Sequence, residues 1–295
     1  MKLLITSIDQ LRKFVKINAS TSFDTYKGFI EDAQLRYIIP YFGEKLIEDL
    51  ILKPTDTLTI RILKALSPFS LAMATYELSI NFGESGHTVT RTDKLAPASD
   101  EKIEKALESL FNRAWLNLDD ALKYVFNHQL EYPLWIESDF MKKTKTSLFN
   151  DAVDFQDNGM VDIDYSPLTF HRLRMMIIRI EKTETFPLVN NLSISDNLRN
   201  AMKAYTASRV AEIVTSQTTR VQRSQPGNKM EFSPIIRPAY DENNTGNFYE
   251  QQTNIFKQKI QDILIEEKLI TAPDNSIYFN NEERTIFFSG AKREL

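Results

Sequence analysis

Two stretches of this chain carry the same apolar rhythm. In the first, Phe23, Tyr26, Ile30, Leu35 and Ile38 recur near the period of an α-helix until Pro40 interrupts. In the second, Ser166-Pro167 supplies a capping serine and a proline at the first helical position, and Phe170, Leu173, Ile177 and Ile180 follow as far as Pro187. Phe170, Leu173, Ile177, Ile180 and Pro187 stand at one constant offset from Phe23, Tyr26, Ile30, Ala33 and Pro40. Upstream, Leu148-Phe149-Asn150-Asp151-Ala152-Val153-Asp154-Phe155 can be laid on Leu4-Ile5-Thr6-Ser7-Ile8-Asp9-Gln10-Leu11 with the apolar positions in register. A helical pattern repeated at fixed spacing predicts a helical protein of two similar halves, the alternative being two helical domains of like length that align by chance.

The remaining segments extend that reading. Pro40 predicts a kink or two abutting helices, with Ile39 pushed out of the helical region, and Gly43 borders a second short helical run. The Leu-, Ala- and Met-rich stretch from Leu58 to Phe82 predicts a buried helix with an irregularity at Pro68. Gly83 to Thr92 is polar and β-branched, which suits a hairpin or an extended excursion. Ser99 or Asp100 can then cap a helix whose stripe runs from Ile103 through Phe111, Trp115 and Leu122 to Val125. In the second half, 193–215 repeats the buried helix, with Glu212 echoing Glu77, 217–238 repeats the excursion at greater length, and 246–269 repeats the amphipathic helix. Residues 127–145 lack sustained periodicity and read as a link. Two apolar runs, 276–280 and 284–288, flank Asn280-Asn281-Glu282-Glu283 and predict a C-terminal β-hairpin. The expected architecture is mainly α: helical-bundle domains at 1–130 and 148–270, each with an inserted excursion, a linker at 131–147, and a hairpin and tail at 271–295.

Composition narrows the chemistry. With 295 residues, 42% hydrophobic and 26% charged, the chain can bury two cores. It has no Cys, so disulfides, thiol nucleophiles and Cys metal sites are excluded, and His87, His128 and His171 lie too far apart for a helical metal motif. A net charge of -4 disfavours a general nucleic-acid binder, leaving local basic groups: Arg172, Arg174, Arg179 and Lys182 on one helix, and Arg220, Arg223 and Lys229 in a later loop. The densest apolar run, Met175-Met176-Ile177-Ile178, is broken by Arg174 and Arg179, so no membrane span is expected, and the opening residues are too short an apolar run for a secretory leader. No glycine pattern of a nucleotide cradle or nucleophile elbow is present. Asp154, Gln156, Asn158 and Asp162 can be placed on calcium-loop positions around Gly159, but Tyr165 stands where the bidentate Glu belongs, so a polar capped turn is favoured. Asp119-Asp120 and Glu266-Glu267 are adjacent pairs that a helix splays apart, so each reads as a solvated face. Phe111 and Trp115, at helical spacing, read as core rather than stacking platforms. No catalytic residue, cofactor or metal is expected.

Leu4 to Leu11, Ile38-Ile39-Pro40-Tyr41-Phe42-Gly43, Val89-Thr90-Arg91-Thr92-Asp93 and Leu118-Asp119-Asp120-Ala121-Leu122, followed by Trp135, Ser138, Phe149, Asp151-Ala152, Phe155, Ser166 and Phe170, resemble a largely uncharacterised family from phages and prophages of Bacteroidota. In layout each half also resembles the head-to-tail connector, or adaptor, proteins of tailed phages: a small helical bundle with a hairpin or loop projecting between its later helices. The chain departs from that group in being about twice as long and in ending on an apolar hairpin.

The resemblance implies a structural virion protein of the neck, made in the host cytoplasm and forming a ring, commonly of twelve copies, below the portal protein. Its partners would be its own copies, the portal and tail or neck proteins, with passing contact to DNA in the channel and none to a membrane. Segments that reach neighbours are the candidate subunit interface: Val89 and Arg91 in the first excursion, Arg220, Val221 and Arg223 in the second, and Phe279, Ile286, Phe287 and Phe288 in the terminal hairpin. That hairpin needs cover, from a neighbour's sheet edge or from its own second domain. The competing readings are a tail-completion or other neck ring protein, a nucleic-acid-binding regulatory protein using Arg172, Arg174 and Arg179, and an enzyme with scattered site residues.

Overall fold

The computed structural model describes residues 2–18, 20–78, 81–83, 86–88, 100–189, 192, 194–224, 236, 245–267 and 269–270, and these are mainly helical. In the first half, α1 (Ile8–Arg12) and α2 (Asp24–Ala33) lead into a π-helical turn, Gln34–Ile38, and then α3 (Ile39–Phe42) and α4 (Glu44–Ile51). The long helices α5 (Thr57–Leu78) and α6 (Asp100–Asn127) pack on each other along their length. Between them β1 (Asn81–Gly83) and β2 (Gly86–Thr88) pair antiparallel, Phe82 opposite His87. The rest of the excursion, with Val89 and Arg91, lies outside the described residues.

Pro40 is accommodated differently from the expectation. Ile39 stays helical (φ -55°, ψ -39°), and its N–H reaches back to the Gln34 carbonyl, one residue farther than in an α-helix. The widened turn absorbs the proline without ejecting the residue before it. Pro68 inside α5 is handled from outside. A proline cannot donate to the carbonyl four residues back, here Lys64 O, and the Asn117 side chain of α6 donates to that oxygen instead at 3.1 Å. Gly43, at φ +79°, ends α3 where an added Cβ would lie 3.2 Å from the Ser138 Cβ.

The stretch 131–147 is not a free link. A turn at Gln129–Glu131, α7 (Pro133–Ile136) and α8 (Asp139–Lys142) hold Tyr132, Trp135 and Phe140 in the first core, whose centre is the ring cluster of Tyr37, Phe69, Phe111 and Trp115. Trp135 Nε1 donates to Tyr41 O at 3.1 Å, and Tyr132 OH donates to Asp56 at 2.9 Å. Elements of four residues are too short to show a period, so their anchoring rests on these aromatic side chains.

The second half begins with α9 (Ala152–Gly159) and α10 (Pro167–Ile180), the latter capped by Ser166 with Pro167 in its first turn. A second π-helical turn, Glu181–Thr185, precedes α11 (Phe186–Val189). The chain continues as α12 (Asp196–Ser224) and α13 (Thr245–Glu266), packed as α5 and α6 are. The helix expected to end at Thr215 runs on to Ser224, because polar and β-branched residues do not break a helix and the first breaker is Pro226. Arg220, Val221 and Arg223 therefore sit on helical backbone rather than in a loop. Lys229 and the predicted terminal hairpin, with Phe279, Ile286, Phe287 and Phe288, lie outside the described residues.

Both halves share a further detail. Gln34, the first residue of the first π-turn, is fully buried; its Oε1 accepts from Leu4 N at 2.8 Å and its Nε2 donates to Lys2 O at 2.9 Å. Glu181, the first residue of the second, is equally buried and accepts from Leu148 N at 3.0 Å, Thr146 Oγ1 at 2.6 Å and Ser147 N at 3.2 Å. In each half the incoming strand of chain is pinned to the π-turn by one buried polar side chain. The next helix then starts behind an equivalent cap: Ser7 accepts from Gln10 N, and Asp151 from Asp154 N.

Candidate interaction surfaces

The second half docks on the first through the N-terminal turn of α10. Ser166 Oγ accepts from Thr169 N at 2.9 Å as the helix cap and donates to Asp119 Oδ1 of α6 at 2.7 Å. The same Asp119 oxygen accepts from Leu168 N at 3.2 Å, and Leu168 is buried in the first core. Lys123 lies 3.5 Å from Asp119 and 3.1 Å from Asp164. A carboxylate at a helix N-terminus satisfies orphan N–H groups and suits the positive end of the dipole. Asp119 is thus a sheltered cap supplied across the seam, and not the solvated residue its sequence context predicts. Burial pushes its carboxyl above the ordinary value, against Ser166, Lys123 and the Leu168 amide. Its neighbour Asp120 turns away and pairs with Arg61 of α5.

One turn along, the His171 ring lies 4.6 Å from Phe140 and 6.0 Å from Tyr41, centroid to centroid. Its Nδ1 is buried with no hydrogen-bond partner among the described residues. Burial first, then Arg172, Arg174 and Lys143, pulls its pKa down to about 4, so the ring is neutral near pH 7. The Arg172 guanidinium stands 5.7 Å over the Trp115 ring and interacts with the Tyr41 hydroxyl, opposing the rise that burial imposes there. The seam therefore combines a capped helix start, an apolar plug and a cation over a ring. These are fastening interactions with no acid–base pair aimed at a reacting atom.

The basic groups on α10 do not form one strip. At 100° per residue Arg172 and Arg179 fall within roughly 20° of each other, while Arg174 points about 140–160° away. Arg174 Nε donates to Lys145 O at 3.5 Å, and Arg172 is committed to the seam. That leaves Arg179 and Lys182 exposed beside Met175.

The calcium-loop layout is overturned, because Asp154, Gln156 and Asn158 lie on α9 rather than in a loop. Asp154 binds Lys203 Nζ at 2.6 Å, both side chains nearly buried, and accepts from Asn150 N and Asn158 Nδ2. Burial raises its pKa, but Lys203 and those donors prevail and hold it below the ordinary value. Gln156 Oε1 accepts from Ile163 N and Tyr165 N, shaping the turn that follows. Among the described residues, no three His, Asp or Glu side chains converge as a metal site, and no helix is long and apolar enough to cross a membrane. Phe111, Trp115 and Trp135 are core residues. Glu267 accepts from Ser195 Oγ at the start of α12.

A groove that sequence reasoning missed lies beside α1. Arg12 donates to Asp9, to Asn18 O at 3.1 Å and to Thr21 O at 3.3 Å, ending the helix and fixing the chain that leaves it. That chain runs past α5 and α6 and leaves a groove of 780 Å³. Phe14, Ile17, Leu71 and Leu110 give it apolar walls. Among the described residues, Arg12, Lys13, Lys16 and Arg113 are its charged lining residues, all positive. Only the Lys13 and Lys16 pair, close together in sequence, hinted at it.

Residues 14–145 match a family of unknown function, DUF6712. The match runs from just after α1 through α7 and α8 and stops where the chain crosses to the second half. No match was found among curated proteins or among solved structures.

Proposed function

We propose that the chain is a structural assembly protein: a connector subunit of the tailed-phage neck, built from two copies of one helical unit and placed in a ring between portal and tail. The observation that supports the duplication is the paired π-turn. Gln34 and Glu181 occupy corresponding positions, each followed by a residue whose N–H closes the π-turn and then by a proline, and each pins the chain entering its half. A wide turn with a buried polar pin is costly unless selected, and its appearance twice at corresponding places favours a common ancestor for the halves. The extent of the DUF6712 match, ending before the second half, agrees with a unit of that size.

The connector assignment rests on the layout. Each half carries a pair of long packed helices, α5 with α6 and α12 with α13, joined by a long polar stretch of sequence suited to addressing a neighbour. Among the described residues, Asp119, Ser166 and Glu181 serve as caps and pins and Asp154 is paired with Lys203. Light scattering after size-exclusion chromatography, on the chain alone and mixed with its candidate portal, tests the assignment. Portal-dependent assembly into a defined ring is expected, and a monomer that ignores the portal refutes it. Copy number and position in a purified particle separate a connector from a tail-completion or other neck ring protein. The nucleic-acid reading loses force because Arg172 and Arg174 are engaged within the fold; salt-dependent DNA binding by the isolated chain would restore it.

A further inference from the structure

We propose that the basic groove beside α1 is the docking site of this chain's own C-terminal segment, with Ile286-Phe287-Phe288 against its apolar walls and Glu282-Glu283 facing its cations. The groove is chemically lopsided for a chain of net charge -4: among the described residues its lining holds Lys13, Lys16 and Arg113 beside Arg12, which is paired with Asp9, and no carboxylate. Lys13, Lys16 and Arg113 are exposed and form no ion pair among the described residues. Phe14, Ile17, Leu71 and Leu110 add an apolar surface that water covers poorly. A fitting occupant therefore carries large apolar side chains next to carboxylates.

Within the sequence beyond Ile270, the stretch 277–288 has that composition, with two carboxylates against the single cation Arg284. Ile277-Tyr278-Phe279 and Ile286-Phe287-Phe288 flank the Glu282-Glu283 pair. Two aromatic triplets in a terminal segment need cover, since contiguous exposed apolar surface is disfavoured. The residues from Ile270 to Ile286 can span at most about 54 Å when fully extended. Docking within the chain also carries little of the association entropy that an external partner would lose.

The absence of cysteine makes the test clean. The double variant Lys16→Cys with Glu283→Cys, oxidised as the full chain at low concentration, is expected to form an intrachain disulfide. Its rate should exceed by roughly tenfold or more that of a control pair, Leu130→Cys with Glu283→Cys, since docking raises the effective concentration of the two thiols. Leu130 is 95% exposed and lies beyond the far end of α6 from Arg113. Adding Lys13→Glu and Arg113→Glu, with helicity checked by circular dichroism, should return the rate to the control level. A rate equal to the control overturns the proposal. Crosslinks formed only between chains also overturn it, and would assign the groove to a second copy.

Discussion

Replacing Glu181 with Gln isolates what the second π-turn pin contributes. Glu181 Oε1 accepts two hydrogen bonds, from Thr146 Oγ1 and Leu148 N, and Oε2 accepts a third from Ser147 N. An amide of the same shape has one oxygen. If that oxygen keeps the Oε1 contacts, the NH2 group faces the Ser147 N–H, and two donors meet in a buried site. One hydrogen bond is lost and one backbone donor is stranded, which costs about 1–3 kcal/mol. Glu181→Leu strands the Ser147 and Leu148 amides together, at roughly 3–5 kcal/mol. For a cooperative unit of this size each kcal/mol lowers the melting temperature by about 2–4 °C. Thermal melts followed by circular dichroism measure the global effect, and hydrogen exchange at Ser147 and Leu148 measures the local one. Unchanged stability in Glu181→Gln, with both amides as protected as in the parent, would refute the claim that this side chain holds the segment. The reciprocal Gln34→Glu should destabilise too, because a carboxylate would then face Lys2 O, which now accepts from Nε2.

Three further perturbations test the seam and α5. Asp119→Ala removes the borrowed cap of α10 and should cost about 1–2 kcal/mol, with faster limited proteolysis around 145–147 as the readout. His171 is neutral in the fold, its pKa down from 6.5 to about 4, so it binds a proton more readily when unfolded. Its contribution is intact above pH 6.5 and is lost as pH falls towards 4; the full shift corresponds to ~3 kcal/mol, cut by partial exposure to roughly 1–2 kcal/mol. His171→Phe should fill the site between Tyr41 and Phe140 and flatten urea-measured stability across that pH window, and an acid limb as steep as the parent's would count against the assignment. Asn117→Ala leaves the Lys64 carbonyl beside Pro68 to solvent and should cost ~0.5–1 kcal/mol by denaturant titration.

What could be read from the sequence followed from period and local chemistry. The stripe Phe111, Trp115, Leu118, Leu122 and Val125, the Ser166-Pro167 start and the matched runs ending at Pro40 and Pro187 all depend on neighbours within a turn or two. What stayed hidden depends on partners far along the chain. Asp119 looks like any surface acid until Ser166 arrives from the other half. Trp135 looks unpatterned until Tyr41 O accepts its indole N–H. The π-turns were half visible: the prolines were in register, but a proline predicts a break, and only tertiary pinning by Gln34 and Glu181 makes a widened helical turn the better solution. The groove was invisible because its walls come from three separate segments.

Under the proposed duplication, the difference between the halves separates what belongs to the unit from what joins the units. Both carry the pinned π-turn, the capped short helix before it and the long helix pair after it, which that duplication makes requirements of the unit itself. The starts of α2 and α10, by contrast, are unlike. Phe23 stands at the head of α2 and offers no side-chain cap, whereas α10 has Ser166 reinforced by Asp119 from α6. A cap supplied from the other half stabilises a helix and an orientation at once, because the hydrogen bonds exist only when the halves are docked. It follows that substitutions at Asp119 should act on the relation between halves more than on either one, whereas those at Ser166 also remove the cap of α10. Substitutions at Gln34 and Glu181 should act within a half and leave the seam in place.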